Sequence, residues 1–487
     1  MAQSAILAID EGTTNAKAIL VSGSGEILAS GSAPVPIAHP QSGWVEQDAA
    51  AIWQATRQAI AACLDQRPGI TVTAIGISNQ RESVLIWDRR TGAALGPVVT
   101  WQCRRTAADC ARLKAAGHEP EVIARTGLPL DPLFPPTKLA WLLAQHGATV
   151  ADICIGTVDS WLIWNLSGGR VHATDKSNAA RTQLFHLQHQ CWDDELCALF
   201  GIDMAMLPEV CDSAHRFGHT RGLGILPDGI PIAAAIGDSH AALFSHGAFR
   251  PGDGKITFGT GSSVMTTVPE FIAPPQGLTT TIAWSLQGRP TYAFEGNILV
   301  SASILPWTAE MLGLADVDAL LELAQSVPDA QGVCLVPAHV GLGAPHWDAG
   351  ARGLICGLSF ATRPAHIARA AADSIALQVR DVFGIMADAA GGVGRVSVDG
   401  GPSRNPFLMQ LVADCLNHPV TPCRNAEASA MGAACLAGLA TGVWGDLDAL
   451  AQLCRHEVAI TPAPESRSRN TQIAAWRKAI ARTMAAV

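Results

Sequence analysis

A short apolar strand that runs into an acidic, glycine- and threonine-bearing loop occurs near the start of this chain and again in its second half. No other feature narrows the fold so much. Ile6 to Ile9 leads into Asp10-Glu11-Gly12-Thr13-Thr14. Two further apolar runs, Ala16 to Val21 and Ile27 to Ser32, flank Ser22-Gly23-Ser24-Gly25, so the segment reads as strand, polar loop and hairpin return. Near Ile230 the pattern restarts. Ile230 to Ile236 ends in Gly237-Asp238-Ser239, Lys255 to Phe258 runs into Gly259-Thr260-Gly261, and Val396 to Val398 runs into Asp399-Gly400-Gly401.

Helical spacing fills the intervals. Asp48 has the chemistry of an N-cap, and Ile52, Thr56, Ile60 and Cys63 follow on one face. Val72 to Ser78 predicts a strand leading into Asn79-Gln80-Arg81-Glu82, and Val84 to Trp87 with Leu95 to Trp101 predicts a hairpin. Helices are expected from His240, over Ile367 to Met386, over Asn405 to Leu416 and over Ala426 to Leu439. Strands and helices alternate in both halves, which predicts two α/β domains of similar size, residues 1–245 and 246–487.

With 48% apolar and 15% charged residues, the 487-residue chain can bury large cores. Its net charge of −9 is spread out with no basic block, which argues against a nucleic-acid partner. Thirteen cysteines occur without a CxxC pair, and several sit inside apolar helical patterns. They read as small buried hydrophobes in a reducing compartment, so the expected location is the cytoplasm. The first apolar run stops at Asp10, too early for a signal peptide, and no stretch reaches the ~20 apolar residues of a membrane span.

The loops carry the chemistry. Glycine and threonine after a strand can aim N–H groups and hydroxyls at phosphate oxygens, although a tight turn is the plainer reading of any one of them. Asp10 suits Mg²⁺, which takes one or two carboxylates together with phosphates and water. Lys17 can reach a phosphate as a point charge, or sit as an exposed strand-end lysine. Walker-type and GxGxxG loops are absent. Asp238 reads as an N-cap or as a general base kept ionised at a helix N-terminus. Arg81 and Glu82 read as a polyol-binding pair or a surface ion pair, and Trp101 as a surface for a carbon backbone or a core indole. His186 and His189 lack companion ligands, so no His/Cys metal cluster is expected.

These blocks together resemble the FGGY family of carbohydrate kinases, in its glycerol-kinase-like branch. The resemblance rests on Asp10 to Thr14, Ser78 to Glu82, Trp101 to Arg105, Gly156 to Leu162, Gly341 to Pro345 and Asp399 to Gly401. Xylulose-kinase-like members carry Gln-Met-His where this chain has Gln80-Arg81-Glu82. The resemblance implies two actin/hexokinase-like (ribonuclease H-like) α/β domains around a cleft, with ATP and Mg²⁺ used to phosphorylate a terminal hydroxyl of glycerol or a related small polyol. It implies Asp238 as base, with Arg81, Glu82, Trp101, Leu133, Ser239 and Ser263 around the acceptor. It further implies Thr13, Thr14, Lys17, Thr260, Gly401 and Asn405 at the nucleotide, Asp10 at the metal, and a homo-oligomer.

The chain departs from the glycerol-kinase pattern. Leu133 stands for a Tyr, Ser239 for a Gln, and Ser262-Ser263 replaces the segment where a Phe follows the Gly-Thr-Gly loop. Ser301 stands for a Gly and Leu305 for a Gln, and the Gly-Gly-Thr-Arg loop linked to sugar-bisphosphate inhibition is missing near Leu223 to Leu226. A roomier acceptor pocket brings erythritol or a pentulose such as xylulose into consideration. Two further readings stand beside the kinase: a Gly-Asp-Ser hydrolase with Ser239 as nucleophile, and a sugar sensor without catalysis.

Overall fold

The computed structural model describes residues 4–146, 152–423, 427–454, 457–464 and 467–484. Two six-stranded sheets organise it. In the first, Ser4–Glu11, Asn15–Val21 and Ile27–Pro34 form an antiparallel meander. Thr71–Asn79 and then Pro231–Gly237 add in parallel beside Ser4–Glu11. The second sheet repeats this order. Gly254–Phe258, Ser262–Val268 and Arg289–Ile298 are antiparallel, while Val396–Asp399 and Val420–Pro422 run parallel beside the first of them. Each sheet gains one more antiparallel strand at an edge, Ala214–His219 in the first and Thr279–Leu286 in the second.

Strand alternation decides which core each side chain enters. Leu7 and Ile9 face a core that includes Ile52, Ile60 and Cys63 of the helix Ala49–Leu64. Asp48 caps that helix by accepting the Ala50 N–H at 2.8 Å. Ile6 and Ala8 point the other way, into a core between the two sheets. Because both faces are covered, the strand reads as a continuous apolar run. On the far side of the second sheet the long helix Pro364–Ala390 buries Ile375, Val379 and Val382 with Ile256 and Val264.

The central core holds Phe244, Met265 and Trp284 together with the helix Ala428–Thr441. That helix belongs to the C-terminal half by sequence, yet it packs on strands of the first sheet and on the helix Asp238–Ser245. Glycine permits the approach. A Cβ on Gly432 would lie 2.0 Å from the Ala241 carbonyl oxygen, and one on Gly76 would lie 2.2 Å from that of Ala433.

Several local expectations shift. The strand expected over Leu95 to Trp101 is only Val98–Val99, since Gly96-Pro97 offers a weak strand former and no N–H from the proline. The helix expected from His240 starts at Asp238. The helix read from Ala426 is seen from Ala428, and Ala426 itself lies outside the described residues. None of the thirteen cysteines forms a disulfide, and most are buried. Among the described residues no helix is long and apolar enough to cross a membrane.

Candidate active site

Strand register assembles the first wall of the cleft. Asp10 lies opposite Ser78, and Gly237 lies opposite Asn79, so three parallel strands end side by side. The Ser78 hydroxyl donates to Asp10 Oδ1 at 2.8 Å. Burial pushes the Asp10 carboxyl up to about 6; Ser78 and Lys17 oppose that shift, and the charge of Asp238 adds to it. Asp238 occupies the first turn of its helix. It accepts the Ser239 N–H at 2.6 Å and faces Arg81 Nε at 3.2 Å. Its side chain is 40% exposed, open to the cleft, so a ligand can reach it. Enclosure by the cleft walls raises its pKa, while Arg81 and the Ser239 N–H pull it back.

Arg81 continues a chain of alternating charge. Its Nη1 and Nη2 donate to Glu295 Oε2 and Oε1 at 3.0 and 2.8 Å. Glu295 also meets Arg181 Nη1 at 2.9 Å, and Arg181 Nε donates to Glu82 at 2.6 Å. Burial alone would raise the Glu295 carboxyl, but the Arg181 and Arg81 guanidiniums override it and hold the group well below the usual carboxylate range. Glu82 is therefore a buried acceptor beside the cleft and not an open surface residue. Its backbone is left-handed at φ 61°. Lys138 braces that turn. Its Nζ donates to the carbonyls of Glu82 at 2.9 Å, Thr100 at 3.2 Å and Leu133 at 2.8 Å. Burial pushes the Lys138 amine down to about 7.

Trp101 and Leu133 stand apart from Asp238, in the wall of a cavity of about 860 Å³. Its opposite wall comes from the second sheet's side of the molecule, with Pro275, Gly277, Val340 and Trp347. The Trp101 indole N–H donates to Thr13 Oγ1 at 2.9 Å and so ties this wall to the first loop.

A second cavity of about 740 Å³ runs from Asp238 and Ser239 past Lys255 and Thr257 to Asp399, Gly400 and Gly401. Register again explains it, since Thr257 lies opposite Asp399. A neighbouring recess of about 410 Å³, with Leu305 and Asn405, shares Gly401 with it. Ser239 Oγ lies 3.1 Å from Ser263 Oγ and 3.0 Å from Lys255 Nζ. No imidazole is hydrogen-bonded to Ser239 among the described residues, so no Ser-His pair is formed there; its partners are Ser263 and Lys255.

The remaining expected residues are more scattered. Thr14 and Thr260 are exposed at loop tips. Lys17 pairs with Glu427 at 3.0 Å, a contact between the two halves of the chain. Asn405 uses its side-chain oxygen to accept the Leu408 N–H at 3.1 Å, capping Pro406–Leu416. Nothing in the sequence marks Glu295, Arg181 or Lys138. Lys255 is visible there only as the first residue of the expected strand Lys255 to Phe258.

No group of three or more His, Cys, Asp or Glu side chains among the described residues encloses a metal. Asp10, with one oxygen held by Ser78 and its neighbour Asp238 open to the cleft, suits instead a divalent ion that arrives with phosphates and water.

Two lobes of repeated topology, with a reachable carboxylate at the foot of a polar cleft and strand-end glycine turns on both sides, define a small-molecule phosphotransferase. Comparison with known proteins agrees. The N-terminal domain of the FGGY family of carbohydrate kinases matches residues 5–245 and its C-terminal domain matches residues 254–441. The chain belongs to that family. It is 48% identical to the apulose kinase of Pectobacterium atrosepticum, over 98% of each chain. It is 43% identical to the glycerol kinase of Symbiobacterium thermophilum, again over 98% of each. The fold superposes on Plasmodium falciparum glycerol kinase, solved with ADP, with a TM-score of 0.94 at 29% identity and 99% coverage of both chains.

Proposed function

We propose that this enzyme moves the γ-phosphoryl group of ATP onto a terminal hydroxyl of a four- or five-carbon polyol or ketose. One observation carries the choice of acceptor. Beside the Asp238 carboxylate stand two small hydroxyls, Ser239 and Ser263, 3.1 Å apart, where the glycerol-kinase pattern has bulkier groups. Leu133 likewise presents no hydroxyl to the cavity it shares with Trp101. Smaller side chains at these positions favour a longer acceptor than glycerol. The likeness to an apulose kinase supports the same reading.

In this reading Arg81, Glu82, Ser239 and Ser263 meet the acceptor beside Asp238, Arg81 and Glu82 being fixed by the charge chain, and Trp101 and Leu133, in the wall of the separate larger cavity, would meet its far end. Thr13, Thr14, Lys17, Thr260, Gly401 and Asn405 meet the nucleotide, with Lys17 leaving Glu427 to do so. Asp10 holds Mg²⁺, which when bound neutralises phosphate charge. Asp238 orients the acceptor hydroxyl and takes its proton. The hydroxyl oxygen forms a bond to the γ-phosphorus, the bond from that phosphorus to the bridging oxygen breaks, and ADP leaves with the electron pair. Because such transfers are largely dissociative, the proton moves late and positioning matters most.

Glycerol is the second reading, favoured by the retention of Arg81, Glu82 and Trp101 and by the 43%-identical glycerol kinase. A coupled ADP-release assay with ATP, Mg²⁺ and a panel of glycerol, erythritol, xylulose and apulose separates the two. We expect kcat/KM for a four- or five-carbon acceptor to exceed that for glycerol by about tenfold or more, the worth of one buried hydrogen bond. Preference for glycerol returns the assignment to glycerol. No turnover with any acceptor favours a sensor.

A further inference from the structure

Lys255 lies in the strand Gly254–Phe258, is fully buried, and lines the cavity that joins Asp238 to the Gly400-Gly401 turn. Its Nζ donates to Ser239 Oγ at 3.0 Å and to Thr257 Oγ1 at 2.8 Å. An ammonium has three N–H donors, so one remains. Both acceptors are neutral hydroxyls, and Lys255 forms no ion pair among the described residues. Lys138, the other deeply buried lysine described above, directs all three donors at carbonyls.

A buried ammonium with no direct ion pair is costly; the charges of Asp399, Glu295 and Asp238 offset part of that cost without touching it, and an arriving anion would offset more. Burial lowers its pKa; the charge of Asp399 resists this and Arg81 reinforces it. Position says which anion. Ser239 directly follows Asp238, and Thr257 lies opposite Asp399 in the register, so the ammonium stands between the carboxylate and the glycine turn. A polyphosphate laid along this cavity brings its terminal group to that place.

We propose that Lys255 is the cation that binds the γ-phosphoryl group of ATP and carries positive charge onto its oxygens during transfer. The inference rests on the kinase reading above. A point charge suits a group whose oxygens redistribute charge as bonds change, and fixed charges of this kind count for most in an enclosed site. Lys255 also links the two reactants, since the serine it holds adjoins Asp238.

The test is Lys255→Met, compared with the unaltered enzyme by calorimetry with ADP and with an ATP analogue whose β,γ bridge is an imido group, and by steady-state turnover. We expect kcat to fall about 100-fold or more, in the range set by removing one fixed electrostatic partner. Affinity for the analogue should fall about tenfold while that for ADP stays within about twofold, which also shows that the variant is folded. Turnover within about threefold of the unaltered enzyme, or equal losses for ADP and the analogue, overturns the proposal. Should the variant not fold, a crystal structure of the unaltered enzyme with the analogue decides. Nζ within about 3.5 Å of a γ-phosphate oxygen supports the assignment, and a separation beyond about 5 Å ends it. Failure of the unaltered enzyme to release ADP with any acceptor removes the kinase reading and this proposal together. Turnover unaffected by Lys255→Met removes this proposal alone.

Discussion

Arg81 and Glu295 meet face to face in a two-point pair, at 3.0 and 2.8 Å, although 214 residues separate them along the chain. The arginine follows a strand of the first sheet and the glutamate lies within a strand of the second. The same guanidinium reaches Asp238 with Nε at 3.2 Å. The charge partner of the proposed base is thus anchored in the opposite lobe.

Glu295→Gln keeps the shape of that anchor and removes its charge, leaving Arg81 and Arg181 buried beside a neutral amide. Breaking a buried pair in this way costs about 3 kcal/mol or more. Urea unfolding should show a loss of that order. A loss under about 0.5 kcal/mol would mean the pair does not stabilise the fold.

Asp238→Asn removes the proposed proton acceptor and leaves the size of the side chain unchanged. We expect kcat to drop at least ~10²-fold, with ADP affinity within about twofold of the unaltered enzyme. Unchanged turnover would strip Asp238 of its role.

Leu133→Tyr together with Ser239→Gln restores the two side chains of the glycerol-kinase pattern. The ratio of kcat/KM for glycerol over erythritol or a pentulose should rise by about fivefold or more, since each regained polar tip is worth about 1 kcal/mol. If the ratio stays flat in an ADP-release assay, those positions do not set acceptor length.

His246 and Asp399 give a pH signature. Burial would lower the His246 imidazole, but Asp399, 3.0 Å away, together with Cys423 raises it from 6.5 to about 9. A histidine raised on folding stabilises fully below its unfolded pKa of 6.5 and loses that contribution as pH climbs through about 9. The shift corresponds to about 3 kcal/mol. Urea midpoints at pH 6 and pH 10 should therefore differ more in the unaltered protein than in His246→Gln. Equal differences would show that the imidazole does not gain its proton on folding.

Asp10 and Asp238 were readable in the sequence because each directly follows an apolar strand, and strand register then brings those ends together. The duplicated topology was readable for the same reason. Glu82 was harder. Its polar tripeptide looks like a surface pair, and only Arg181, 99 residues on, buries it. Glu295, Arg181 and Lys138 are charges in the interior, against the usual sorting of residue types, and local pattern cannot anticipate partners so distant. The helix Ala428–Thr441 is apolar on nearly every side. That composition announces burial but does not reveal which sheet it will cover.

At Gly432 and Ala241 two helices touch backbone to backbone with no side chain between them. Such a junction has no rotamers to rearrange and no long groups to interlock. The spacing of the two helices at this point is therefore set by their backbones alone. A single methyl group added at Gly432 would run into the Ala241 carbonyl oxygen, so the two helices that present Asp238, Ala242, Ala428 and Ser429 to the cleft would have to part to admit it.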